Sequence, residues 1–130
     1  MEILQPAHWP RPKGYANGVA TRGRQIFLSG MVGWNLEGKF TSPDFVGQVR
    51  QSLKNIVEVL AEANARPEHI VRMTWYVLDK HEYIAAYKEV GRVYREILGS
   101  HYPAMTAVQV AALIEDQARV EIEVTAVVPE

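Results

Sequence analysis

The stretch Val120-Glu121-Ile122-Glu123-Val124-Thr125-Ala126-Val127-Val128 decides the fold. It alternates. Val120, Ile122, Val124, Ala126 and Val128 point one way, and Glu121, Glu123, Thr125 and Val127 point the other. A strand with this pattern has one face apolar enough to bury and one that presents two carboxylates and a hydroxyl. On its own chemistry the second face reads first as a solvated sheet surface, with catalysis by a carboxylate as the sharper alternative. The turn that feeds this strand region begins at His101-Tyr102-Pro103-Ala104, and Met105 to Leu113 reads as the strand before it, closed by a turn at Glu115-Asp116-Gln117.

Upstream, two apolar periodicities of three and four mark helices. The first follows Ser42-Pro43-Asp44, where Ser42 can cap, Pro43 fits the first helical position and Asp44 suits the positive end of the dipole. Its buried stripe is Phe45, Val49, Leu53, Ile56, Val57 and Leu60, with Gln48 assigned to the polar side. Asn64 is a left-handed terminator and Pro67 prevents continuation. The second helix starts from an Asp79/Glu82 capping-box pattern and runs through Tyr83, Tyr87, Val90 and Tyr94 to a stop at Gly99. Between them, His69 to Leu78 is a strand, with Val71, Met73, Trp75 and Val77 on one side.

Toward the start, Gly14 to Thr21 and Gln25 to Gly30 read as strands joined by a tight turn at Arg22-Gly23-Arg24, a hairpin. Residues 1–14 hold Pro6, Pro10 and Pro12 and form an extended arm. The order is ββαβαββ in one domain, 1–130. Two helices on one face of a mixed, mostly antiparallel sheet make an α+β sandwich. The helices cover only one sheet face, so the other points to a homo-oligomer.

Composition removes several function classes. The 130 residues are 48% hydrophobic, enough for a core, and carry fourteen Lys and Arg against fifteen Asp and Glu. A formal net charge of -1 leaves no electrostatic footprint for nucleic acid or an anionic membrane. The absence of cysteine excludes disulfides and thiolate chemistry. The first residues lack a secretory pattern and no apolar run reaches spanning length, so a cytoplasmic protein is the default expectation. Four histidines (His8, His69, His81, His101) show no metal-ligand spacing. No phosphate loop, dinucleotide fingerprint or nucleophile elbow is present. Trp34, in a glycine-flanked loop, either lids a pocket or packs on its own subunit.

Several motifs stand in register across nearly the whole chain from Gly14 onward: Gly14-Tyr15, Phe27-Leu28-Ser29-Gly30, Gln48-x-x-Gln51-Ser52-Leu53-x-Asn55-Ile56, Val71-x-x-Thr74-x-Tyr76-Val77, Pro103-Ala104 and Val120-Glu121-Ile122-Glu123-x-x-Ala126-Val127. In these the chain resembles the RidA/YjgF family of imine and enamine deaminases. The resemblance implies a chorismate-mutase-like fold, a homotrimer with a cleft at each subunit interface, and hydrolysis of a reactive imine or enamine to a carbonyl compound and ammonia without metal or cofactor. It implies that Glu121 is the catalytic acid/base, and that Tyr15, Ser29, Gly30, Gly91, Met105 and Ala107 line the substrate cleft.

Two of those positions depart from the family pattern. The family's substrate-clamping arginine falls at Met105, which offers no hydrogen-bond donor, and a helix asparagine falls at Gly91. A charge-assisted carboxylate contact is worth about 1.5–3 kcal/mol, so its loss implies an altered substrate range. Arg11, Arg22, Arg24 and Arg119 are candidate replacement clamps, and a Glu121 carboxyl buried beside Met105 is expected to have a raised pKa. The alternative to catalysis is a trimer that binds a small ligand in the intersubunit cleft; an RNA-acting protein is a third reading, opposed by the balanced charge.

Overall fold

The computed structural model describes residues 1–130. The chain runs through β1 (Glu2–Ile3), β2 (Val19–Ala20), β3 (Arg24–Phe27), α1 (Phe45–Glu62), a 3-10 turn (Pro67–His69), β4 (Ile70–Val77), α2 (Lys80–Ala85), α3 (Tyr87–Leu98), β5 (Ala104–Gln109) and β6 (Val120–Val128). A four-stranded sheet has the order β3-β6-β4-β5. β6 runs antiparallel to β3 and β4, and β5 pairs with β4 in parallel. The helices pack on one face of this mixed sheet, an α+β layer structure as expected.

The alternation of β6 is realised across the layer. Val120, Ile122 and Ala126 are fully buried and meet Val49, Leu53 and Ile56 of α1, Val93 of α3, and Met73, Trp75 and Val77 of β4 in one apolar cluster. Each large apolar side chain so enclosed contributes roughly 1.5–3 kcal/mol. The other face has no helix over it. Phe27 is 72% exposed and Val108 is 42% exposed there, beside Glu123 and Tyr76. The Tyr76 hydroxyl donates to Glu123 Oε1 at 3.0 Å.

Several local expectations are corrected. The hairpin does not form: β2 pairs with β1, at the very start of the chain, and β3 pairs with β6. The cap of α1 is Asp44, whose carboxylate accepts from the Gly47 N–H, and Ser42 donates to Asp44 instead of capping. That bond to Ser42, with Gly47 behind it, holds the Asp44 carboxyl below its ordinary pKa. Gln48 is buried, not on the polar side. Its amide donates to the carbonyls of Ser42 and Gln117 and accepts from the Arg119 N–H, at 2.7–3.1 Å, which ties α1 to the start of β6. A bulge at Val71 shifts the β4 register, so Ile70 rather than Val71 joins Met73 in the core.

The second helix is two. The Ala86 N–H is shared between the carbonyls of Glu82 and Tyr83, which tightens the turn and ends α2. Asp79 caps α2 as the sequence suggests, but Glu82 turns away from the box to hold Arg119. β5 stops at Gln109, short of the expected Leu113, because β4 ends at Val77; the Val110 N–H takes the Val77 carbonyl as the last bond of that ladder. Asn64 has φ 55° just past α1, in the left-handed role read from the sequence.

Candidate functional site

The seven residues singled out from the sequence fall into two groups on opposite faces of the sheet. Tyr15, Gly91, Met105 and Ala107 line one cleft of about 530 Å³ on the helix side. Glu121, Gly30 and Ser29 sit on the open side and do not line it. Ladder partners share a face. Met105 lies opposite Met73, and Ala107 opposite Trp75, both core-side residues; Glu121 lies opposite Tyr76 on the open face. The expectation that Glu121 is buried beside Met105 is therefore corrected within the chain. The Glu121 carboxylate is only half-buried and faces away from that methionine.

Backbone pairing builds each group. The Ala16 N–H donates to the Pro103 carbonyl at 3.0 Å, and Ala16 bridges Ala104, which brings Tyr15 to the start of β5. On the other side, Met31 and Ile122 exchange two backbone hydrogen bonds at 2.8 and 2.9 Å, which lays Gly30 against Glu121. A Cβ on Gly30 would stand 2.0 Å from Glu121 Oε2. Only glycine leaves room for the carboxylate in this position. Glu121 makes no side-chain hydrogen bond or ion pair in the chain, whereas its neighbour Glu123 accepts from Tyr76. That bond raises the Tyr76 phenol above its ordinary pKa, with desolvation and the Glu123 charge adding to it.

The cleft is more aromatic than the sequence suggested. Tyrosines of the helix stripe form one wall: Tyr83 stacks on Trp75 with centroids 5.8 Å apart and meets Tyr87 edge-on at 4.9 Å. Burial, then Tyr87, pushes the Tyr83 phenol up to about 12. Tyr94 donates to the His101 carbonyl at 2.6 Å and stacks on Tyr102; burial also pushes its phenol up. Trp34 packs on Phe40 in its own loop, with the Trp34 carbonyl held by Asn55, so it is no lid over this cleft.

None of the four candidate replacement arginines reaches the cleft. Arg119 is held by both carboxylate oxygens of Glu82 at 2.8 and 2.9 Å, a bond that raises its pKa. Arg24 donates to the Ala63 carbonyl, and Arg11 and Arg22 are exposed elsewhere. The cations that do line it are Lys13 and Arg95, both missed from the sequence. Arg95 carries a readable signal: no carboxylate stands three or four residues away on its helix, while Arg92 has Glu89 and pairs with it. The histidines stay apart. His101 bonds the Ile70 carbonyl, His69 accepts from the Arg66 N–H, and no group of three or more metal-ligating side chains forms. No helix is long and apolar enough to cross a membrane.

Residues 8–128 match the family described as Endoribonuclease L-PSP. The human 2-iminobutanoate/2-iminopropanoate deaminase is 31% identical over 126 residues, covering 96% of this chain and 88% of that protein. A RutC family protein of Aquifex aeolicus is 36% identical over 130 residues, covering 98% of this chain and 99% of the relative. Among solved structures, a Rid family protein of unknown function from Yersinia pestis superposes with a TM-score of 0.84 at 29% identity, covering 98% of both chains. The motifs, the layer structure and these matches agree, and the chain belongs to the RidA/YjgF family, the Endoribonuclease L-PSP family of the matched residues.

Proposed function

We propose that this protein is a homotrimeric hydrolase that converts a reactive imine or enamine to a carbonyl compound and ammonia. The observation that carries the reading is the free Glu121 carboxylate, seated against Gly30 on a sheet face with no helix over it. A charged group without a partner, on a face that also exposes Phe27 and Val108, suits a surface completed by a second copy. The division of the site residues between two faces supports the same idea. One subunit supplies the cleft of Tyr15, Gly91, Met105 and Ala107, and its neighbour supplies Glu121, Gly30 and Ser29.

In that assembly Glu121 accepts a proton from water as the water oxygen bonds to the imine carbon. It returns that proton to the nitrogen, then takes the new hydroxyl's proton and passes it to the same nitrogen, so the C–N bond breaks as the carbonyl forms and ammonia leaves. Water and the carboxylate account for every proton moved. Positioned acid/base groups of this kind contribute about 10²–10⁴-fold. With Met105 in the cleft wall, no cation stands on β5 beside the substrate, which supports a substrate range different from that of the small 2-imino acids.

The test is ammonia release from imines freshly made by an amino-acid oxidase, with wild type, Glu121→Ala and buffer compared. Acceleration by wild type that is lost in a still-trimeric Glu121→Ala is the expected result. A second reading, non-catalytic ligand binding, is favoured by Met105 packing against the core cluster. No acceleration of any imine, with the trimer intact, would replace the first reading by the second.

A further inference from the structure

The cleft holds a guanidinium with nothing to pair with. Arg50 pairs with Glu96, Arg92 with Glu89, Arg66 with Glu68 and Arg119 with Glu82. Arg95, at the cleft, has no carboxylate or carbonyl partner for its side chain in the chain. Its position in the last turn of α3 suits the negative end of the helix dipole, and that is its structural role. The head group does more than that. Helical side chains lean toward the N-terminus, and Arg95 Nη1 lies across Gly91, one turn back, 3.3 Å from where a Cβ on Gly91 would stand. The charge is thus turned away from the last carbonyls and toward the cleft. Any larger residue at 91 would crowd it.

Next to that cation is an aromatic surface. Trp75 and Tyr83 stack, Tyr87 closes the corner, and Met105 is polarizable and half-buried. Tyr87 is 55% exposed, with its ring edge-on to Tyr83 and open to a ligand. A guanidinium, with five N–H donors in a planar fork, beside an apolar aromatic wall recognises an anion joined to a ring.

We propose that this cleft binds aromatic carboxylates, with Arg95 as the carboxylate anchor and Tyr87 and Tyr83, backed by the buried Trp75, receiving the ring. Resting on the deaminase reading, the substrate class is the aromatic 2-imino acids. The two departures at Met105 and Gly91 then form one change: the cation moves from the strand to the helix, and glycine makes room for it.

The experiment is calorimetric binding of phenylpyruvate, pyruvate and the uncharged phenylacetone to wild type, Arg95→Ala and Arg95→Gln, each checked for trimer and circular dichroism. Turnover of the imine of phenylalanine is measured in parallel. Wild type is expected to bind phenylpyruvate at least about tenfold more tightly than pyruvate, from burial of the ring. Arg95→Ala is expected to weaken phenylpyruvate by about ten- to a hundredfold and leave phenylacetone unchanged, the size of a lost charge-assisted contact. Arg95→Gln, which keeps donors without charge, should fall between. Equal phenylpyruvate affinity in wild type and Arg95→Ala, or no preference for the ring, overturns the inference. Arg95-dependent binding without turnover of any imine upholds it and removes the deaminase reading. Turnover that needs Glu121 but ignores Arg95 upholds that reading and overturns the anchor.

Discussion

The two faces of β6 carry different burdens. Toward the helices, Val120, Ile122 and Ala126 are sealed in the core and each holds the layers together. Toward the open side, Glu121 and Glu123 are one residue away along the same backbone, half-buried and exposed respectively, and neither belongs to the apolar core. On the proposed mechanism, the pleat lets one strand serve stability on one face and chemistry on the other. Adjacent substitutions should therefore fail in different ways, and that is where the comparison can be broken.

The largest effect is expected at Ile122, fully buried between α1 and β4. Ile122→Ala should cost about 2–5 kcal/mol in a denaturant melt, the usual range for emptying a packed core. Glu121→Gln, its neighbour, should leave the melt nearly unchanged while turnover of an imine falls by about 10²-fold or more. A Glu121→Gln protein whose oligomeric state changes together with its activity would make the carboxylate a structural group, and the separation of the two faces would not hold.

A pair of glycines sharpens the contrast. A Cβ at Gly30 would meet the free end of the Glu121 side chain, which can swing aside. A Cβ at Gly33 would meet the Gln48 backbone, 2.8 Å from its Cα and 2.9 Å from its carbonyl oxygen, which cannot. If Glu121 acts as proposed, Gly30→Ala should fold normally and lose about ten- to a hundredfold in turnover, because displacing an acid/base group costs rate rather than stability. Gly33→Ala should instead lower the melting temperature, since it prises the loop from α1. Normal activity in Gly30→Ala would show that the position of the carboxylate against residue 30 is not the reactive one.

The same contrast explains what the sequence could and could not disclose. The bounds of β6, the stripe of α1 and the cap at Asp79 are local patterns, and they were legible. The pairing of β2 was not, because its partner β1 lies beyond a proline-rich arm and two adjacent apolar runs look like a hairpin whichever strand each pairs with. Val110 to Leu113 continues the apolar run of β5, but β4 ends before it and leaves it no ladder. Gln48 looks polar on a helix wheel; only the distant carbonyls of Ser42 and Gln117 make its burial tolerable. For the site, the resemblance named Glu121 and Met105 but not the faces they occupy, since the face of Met105 is set by its parallel register with β4.

The smallest effect separates the faces by titration. Two tyrosines have raised pKa values for opposite reasons. Tyr83, on the helix side, is pushed up to about 12 chiefly by burial. Tyr76, on the open side, is raised chiefly by its hydrogen bond to the Glu123 carboxylate. A phenol with a raised folded pKa favours the protonated, folded state. Its contribution to stability is fully present below the unfolded value near 10 and is lost as pH rises through the folded value. Stability should therefore decline as the pH climbs from about 10 toward about 12, and Tyr83→Phe should flatten that decline. Glu123→Gln should return one of the six phenols to its ordinary range in a phenolate absorbance titration and leave the melt below pH 10 alone. An unchanged titration in Glu123→Gln would mean that the Tyr76–Glu123 bond does not persist in solution.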